Sequence, residues 1–225
     1  MNRISSQNKE YVDLANQVLG WILYAKRSLT VRELQHALSV VPDCTDIDEA
    51  ALTDEESLIS ACAGIVTIDK ESSVIRLIHY TAQEYFERNR NARFIDAPTA
   101  ISTTCLTYLG FDVFAEFCID EMALKKRLEN YAFAAYAAEY WGCHIKGDRE
   151  NDPEYQDAIV EKFKSVSRRD ALCQIGAYLE PTEGRFEIVM GRSLLHLFAA
   201  HGLATLCKCL LDQRFDHNGW YVLRI

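Results

Sequence analysis

The chain is short of punctuation and of positive charge. Four prolines and ten glycines in 225 residues exclude collagen-like and low-complexity classes. No run of about 18 apolar residues occurs, so no segment is expected to span a bilayer. The opening MNRISSQNKE lacks the apolar stretch of a secretory signal. Bases number 24 against 33 acids, a net charge of −9, which disfavours nonspecific binding to nucleic acid or an anionic membrane, local basic patches aside. Eight cysteines form no CxxC pair, so with no signal they are expected to be reduced, in the cytosol or nucleus, and we expect a cytoplasmic protein. What is present is an ordinary 49% of apolar residues, enough for a sizeable core in one large domain or two to three small ones.

Tyr11, Leu14, Ala15, Val18, Ile22 and Ala25 recur at helical spacing and predict one amphipathic helix over 9–26. Lys26 and Arg27 would close it at the negative end of its dipole. Thr30 followed by Glu33 is a capping box opening a helix through Leu34, Ala37 and Leu38, stopped by Pro42 and an acidic run. A third helix is expected from Asp54 to about Cys62, ended by Gly64. The runs Ile65–Ile68 and Val74–Leu77 then read as strands joined by the polar loop 69–73. From His79 to Arg88 the composition is helical again.

Three helices and a two-stranded wing make a winged helix, whose third helix would enter a major groove if the module read DNA. Charge argues against that use. Leu34 to Asp69 contains no lysine or arginine, whereas Asp43, Asp46, Asp48, Glu49, Asp54, Glu55, Glu56 and Asp69 are acidic. A phosphate-binding surface needs basic side chains, so the module reads as a protein-contact element and the acidic run as a solvated face and loop, with docking onto a basic partner as its functional alternative.

The segments YVDLANQVLGWILYAKRSLTVRELQHAL and LISACAGIVTIDKESSVIRLIHYTAQEYFER resemble the winged-helix segment of fungal NACHT–ankyrin proteins, which are NOD-like-receptor-type signalling ATPases. That segment commonly carries the label GPI inositol-deacylase winged helix. The resemblance covers residues 11–90 and extends loosely to about 145, through Cys105–Leu109 and Tyr136–Gly142. It implies a regulatory arm between an ATPase core and a repeat array. It implies no hydrolase chemistry: an acyl-hydrolase elbow needs G-x-S-x-G, and Gly191-Arg192-Ser193-Leu194-Leu195 lacks the second glycine.

Residues 91–190 read as further helices. Pro98 opens one with Ile101, Cys105, Tyr108 and Leu109 on one side, and Leu124, Leu128, Tyr131 and Ala135 continue a pattern towards Tyr140 and Trp141. Gly142 to Pro153 is expected to be a surface loop. Asp152 before Pro153 starts a helix bearing Tyr155, Ile159, Phe163 and Val166. Ser193 to Gly202, SLLHLFAAHG, resembles the ankyrin opening T-P-L-H-x-A-A-x-x-G, with Leu194 in place of proline and Phe198 in place of a small alanine. Leu206, Leu210 and Leu211 match the second helix, Asp216 and Asn218 the following turn, and His196 a backbone-bonding position. One repeat cannot cover its own apolar face, so the chain is expected to be a fragment or truncated product.

Other chemistry finds little support. Gly142 to Gly147 has P-loop spacing, but Asp148 stands where lysine is required. Cys207 and Cys209 diverge on a helix, which argues against zinc with His201, and Cys143-His144 lacks a second pair. His79, beside Tyr80, Glu84 and Tyr85, is the best acid–base constellation; its match to the family segment H-Y-T-x-Q-E-Y-F favours a hydrogen-bonded structural role where strand meets helix. Tyr131, Phe133, Tyr136, Tyr140 and Trp141, after Lys125-Lys126-Arg127, could stack nucleic-acid bases, but their spacing favours core. Cys62, Cys105, Cys118 and Cys173 are expected to be small buried hydrophobes.

The expected architecture is mainly α: a winged helix (1–90), a helical linker region (91–190) and a single ankyrin-like helix pair (191–225). The expected function is a non-catalytic regulatory and protein-interaction arm of a NACHT-type signalling ATPase. Its partners would be the ATPase module and further ankyrin repeats, in cis or in trans. No catalytic residue, metal, cofactor, small-molecule substrate, nucleic acid or membrane is expected. The alternative is a DNA-binding winged-helix regulator.

Overall fold

The computed structural model describes residues 2–179 and 190–216. A short helix α1 (Asn2–Ser5) precedes α2 (Lys9–Tyr24), whose first turn Asn8 caps by accepting from Tyr11 N–H. α2 stops at Tyr24, two residues before the expected closing pair. The Lys26 N–H instead donates to Tyr136 Oη at 2.9 Å, and Arg27 turns to Glu33. α3 (Val31–Ser39) begins with the expected capping box: Glu33 N–H donates to Thr30 Oγ1, and Glu33 Oε2 accepts from Thr30 N–H at 2.8 Å. Glu33 also receives both Arg27 guanidinium nitrogens, at 3.0 and 2.6 Å. One carboxylate therefore ties the α2–α3 turn together, and it raises the Arg27 pKa.

α4 (Glu55–Ala61) is capped by Asp54, which accepts from Ser57 N–H at 2.9 Å. Ala63 and Gly64 then take positive φ, 51° and 78°, to turn the chain into the wing. Strands β1 (Val66–Ile68) and β2 (Ile75–Leu77) pair antiparallel, Val66 opposite Leu77. Thr30 bridges Val74 as a short third edge, with Val31 N–H donating to Ser73 O and Ile75 N–H to Leu29 O. Helix, bridge, two helices and wing thus make the winged helix read from the sequence. In the loop between strands Asp69 accepts from Glu71 and Ser72 N–H, and pairs with Arg76 at 3.1 Å.

α5 (Tyr80–Arg93) runs on past residue 90, and α6 (Ala97–Leu109), with Pro98 in its first turn, lies against α2. α7 (Glu121–Asn130) and α8 (Ala134–Ile145) follow. The expected single pattern through Leu128, Tyr131 and Ala135 is in fact broken at Tyr131. That residue caps α7 and sends its hydroxyl to Asp46 at 2.7 Å. α9 (Pro153–Phe163) begins at Asp152 as expected, and α10 (Val166–Leu179) follows; Val166 itself is exposed. Arg168 at the start of α10 donates to the carbonyls of Leu109 and Phe111 and closes the end of α6.

The expected surface loop from Gly142 to Pro153 is largely not one. α8 continues to Ile145, and Asp148–Asn151 forms a 3-10 turn in which Glu150 is buried. Glu150 Oε1 accepts from Thr205 N–H at 2.6 Å, at the positive end of α12 (Ala204–Asp216). α11 (Leu194–Ala200), capped by Ser193, completes a helix pair with α12. Asp216 ends α12; Asn218, the expected turn residue, lies outside the described residues. His196 Nδ1 meets Ser193 Oγ at 2.8 Å, a side-chain partner in place of the expected backbone one.

Buried apolar side chains from Ile4 to Leu206 form one contiguous cluster. Its centre is aromatic. Trp21 meets Phe133 and Tyr136 edge-on, with centroids 5.3 and 6.0 Å apart, and Tyr108 packs among Phe111, Phe114, Tyr131 and Phe133. The aromatic run weighed as a stacking platform is therefore core. Cys62, Cys105 and Cys118 are buried as expected, but Cys173 is only half-buried.

Gly142 is where α8 meets the last helix pair. A Cβ there would lie 2.5 Å from His201 Cβ and 2.9 Å from its Cγ, too close for either to stay in place. Gly142→Ala is expected to cost about 1–3 kcal/mol, read as a lowered urea midpoint at unchanged slope.

Candidate functional site

Two surfaces and one partly buried seam hold the candidate polar groups. The first surface is a concavity of about 710 Å³ between α1, the end of α4, the wing and α5. Its floor holds Ile65, Ala82 and Phe86, and its rim Arg3, Ile78, His79 and Tyr85. Among the described residues lining it there is no serine, cysteine or carboxylate, and its one formally charged side chain, Arg3, is basic. His79 is exposed, and its carbonyl accepts from Ala82 and Gln83 N–H at 3.0 and 3.2 Å. The backbone thus starts α5 as expected, but the side chain is on the surface and not in a structural hydrogen bond buried at the strand–helix joint. Tyr80 (71% exposed) bonds Glu84, which also faces Arg88 at 3.7 Å. Ile78 and Tyr85 are about half exposed. The stretch most like the family segment thus turns much of its apolar surface outward.

The second surface is the outer side of α4, where Asp54, Glu55 and Glu56 are exposed and no cation stands on the helix. Asp54 is held below the usual carboxylate range by the Ser57 hydroxyl and N–H. The acidic run ahead of it is less free than a solvated loop. Asp46 accepts from Tyr131 Oη, Asp48 caps the turn Glu49–Ala51, and Thr45 O accepts from Asp112 N–H.

The seam runs from the winged helix through α8 to α11 and holds three ring pairs, of which the first is fully buried and the others partly so. His36 Nδ1 and Tyr108 Oη lie 2.8 Å apart between α3 and α6, and His36 Nε2 has no partner. Tyr136 Oη accepts from Lys26 N–H and lies 2.8 Å from His144 Nε2. Trp141 Nε1–H donates to His201 Nε2 at 2.9 Å, linking α8 to α11. Burial lowers all three imidazole pKa values, to about 4 for His144 and His201, with Arg32, Lys26 and Lys146 respectively adding repulsion. His144 and His201 are therefore neutral near neutral pH, and His201 accepts from Trp141.

The sequence pairs separate in space. Cys143 is exposed while His144 turns to Tyr136, and His201 is engaged by Trp141. Among the described residues no three His, Cys, Asp or Glu side chains are grouped to hold a metal, and no helix is long and apolar enough to cross a membrane. Burial pushes the Cys62 thiol up to about 12 and that of Cys105 up as well. Sequence reasoning missed α1 with Arg3 and every member of the seam as a pair. The partners are 60 to 110 residues apart in three of these four contacts, Tyr136 and His144 alone being close.

Residues 2–96 match the family described as GPI inositol-deacylase, winged helix domain. The chain is also similar to the azaphilone pigments biosynthesis cluster protein L of Monascus ruber, 26% identical over 178 residues. That match covers 72% of this chain and 37% of the relative's length. No solved structure matches at a significant level.

The seam makes a pH dependence. Unfolded histidine binds its proton near about 6.5, whereas folded His144 and His201 do so only near about 4. Between those values unfolding takes up protons, so stability that is full above the unfolded pKa falls as pH drops towards 4. Urea midpoints are expected to decline over that window. The double substitution His144→Gln, His201→Gln should flatten the decline; an equally steep one in the double variant contradicts this origin.

Proposed function

We propose that this chain is a non-catalytic regulatory and protein-interaction arm of a NACHT-type signalling ATPase, coupling the ATPase core to ankyrin repeats. The observation that carries the reading is the outward-facing concavity of Ile78, His79 and Tyr85. A fold that has already buried one contiguous aromatic core leaves apolar rings and an aliphatic side chain at the rim of a cleft, which fits a protein contact. The match over residues 2–96 supports the winged-helix part of the reading. Because the chain spans 37% of its relative, an arm of a larger machine is consistent with that likeness.

Charge favours protein over nucleic acid. A winged helix that reads DNA presents its third helix to phosphates, and α4 presents Asp54, Glu55 and Glu56. The α11–α12 pair supports an ankyrin start in its helix lengths and in the Ser193 cap. Half-exposed Leu211 on its second helix would suit a following repeat. Cytoplasmic residence follows from the same reading.

The test is binding between this chain and a NACHT ATPase module, measured by calorimetry. Ile78→Asp with Tyr85→Ser is expected to weaken binding by about 2 kcal/mol or more, with the melting temperature little changed because both side chains lie at the surface. Glu55→Lys with Glu56→Lys should also weaken it if the partner face is basic. Undiminished affinity in the first variant, or a salt-sensitive shift of duplex DNA by the unmodified chain, would sink the proposal.

A further inference from the structure

Between the 3-10 turn Asp112–Phe114 and α7, the chain runs through a loop held from three directions. Cys118 N–H donates to Gln174 Oε1 and Cys118 O accepts from Gln174 Nε2, both at 2.8 Å. Arg127 donates to Glu116 O at 2.7 Å, and Asp120 Oδ1 accepts from Ala123 N–H at 2.7 Å. While Cys118 points inward, its neighbours do not: Ile119 is 87% exposed, Met122 81% and Phe117 40%. Apolar side chains displayed on so fixed a backbone cost little further ordering when they are covered.

The charges around them are arranged by sign. Glu116, Asp120 and Glu121 are exposed on the leading side. Lys125 and Lys126, also exposed, belong to the chain's one run of three consecutive bases. At 3.6 residues per turn, Glu121, Met122, Lys125 and Lys126 share the outer side of α7, the lysines about 6 Å further along its axis. The patch therefore has an apolar centre with acid on its leading side and the lysines on the other, exposed Glu129 standing one turn beyond them.

We propose that this surface pairs with the same surface on a second copy of the chain. A two-fold axis near Met122 sets α7 antiparallel to its copy, so that the lysines of each face Asp120 and Glu121 of the other and the apolar groups meet between them. Self-complementarity of this kind is what an isologous contact requires. A rim of one sign would instead select a partner of opposite charge. With −9 on each copy, general self-attraction is unfavourable, and the local arrangement must supply the pairing. The inference stands apart from the NACHT reading, since it concerns the chain alone.

Sedimentation of the full chain tests it. As concentration rises to about 1 mM, the range in which small interfaces associate, the weight-average mass should climb from 25.7 kDa towards twice that. Ile119→Asp should abolish the rise. Lys125→Glu with Lys126→Glu should be monomeric, as should Glu116→Lys with Glu121→Lys, while a mixture of these two variants should recover the dimer. A constant mass for the unmodified chain, association that survives Ile119→Asp, or a mixture that stays monomeric would each overturn the proposal. Far-UV circular dichroism confirms that each variant is folded.

Discussion

The structure hangs on the way the end of α2 is received by α6 and α8. Trp21 enters edge-on against Phe133 and Tyr136. Four residues after it, where α2 has ended and Ala25 N–H has bonded back to Trp21 O, the next free backbone N–H, that of Lys26, finds the Tyr136 hydroxyl. The phenol that receives it is held between aromatic neighbours. The same hydroxyl lies 2.8 Å from His144 Nε2. Backbone, phenol and imidazole form a hydrogen-bonded chain whose Lys26 contact holds the winged helix to α8. Arg27 covers the outside, its guanidinium 5.2 Å from the centroid of the Tyr136 ring and bound to Glu33.

The charge distribution follows a different logic from the core. Many carboxylates of the first half serve local backbone. Asp48 and Asp54 cap turns and helices, Asp69 gathers the wing loop, and Glu33 closes a capping box. Their negative charge is a by-product of punctuation in a chain with few prolines and glycines. This gives α4 an acidic outer side even though its inner side, through Leu58 and Ala61, packs as a winged helix requires.

Local signals were legible. Thr30 with Glu33, Asp54 and Asp152 announce helix starts because a cap and its target lie within three residues of each other. The wing was legible from two β-branched runs about a loop length apart. What escaped was set by distance along the chain or by size. Tyr131 breaks a helical pattern because Asp46, 85 residues away, takes its hydroxyl. Gly142 looks like a loop residue until His201, from α11, is seen to occupy the space a side chain would need. His79 matched a motif well, yet a motif does not say which way its side chain faces. Exposure in the folded chain answers that.

Gly142 also sets a bearing. Because α8 and His201 touch without an intervening methyl group, and Glu150 receives Thr205 N–H on the other side, the last helix pair has two fixed points of attachment to the body. Two points define an axis, and α12 is aimed along it as a needle is aimed by its pivot. A small change at that pivot would swing the far tip much more than it disturbs the pivot itself.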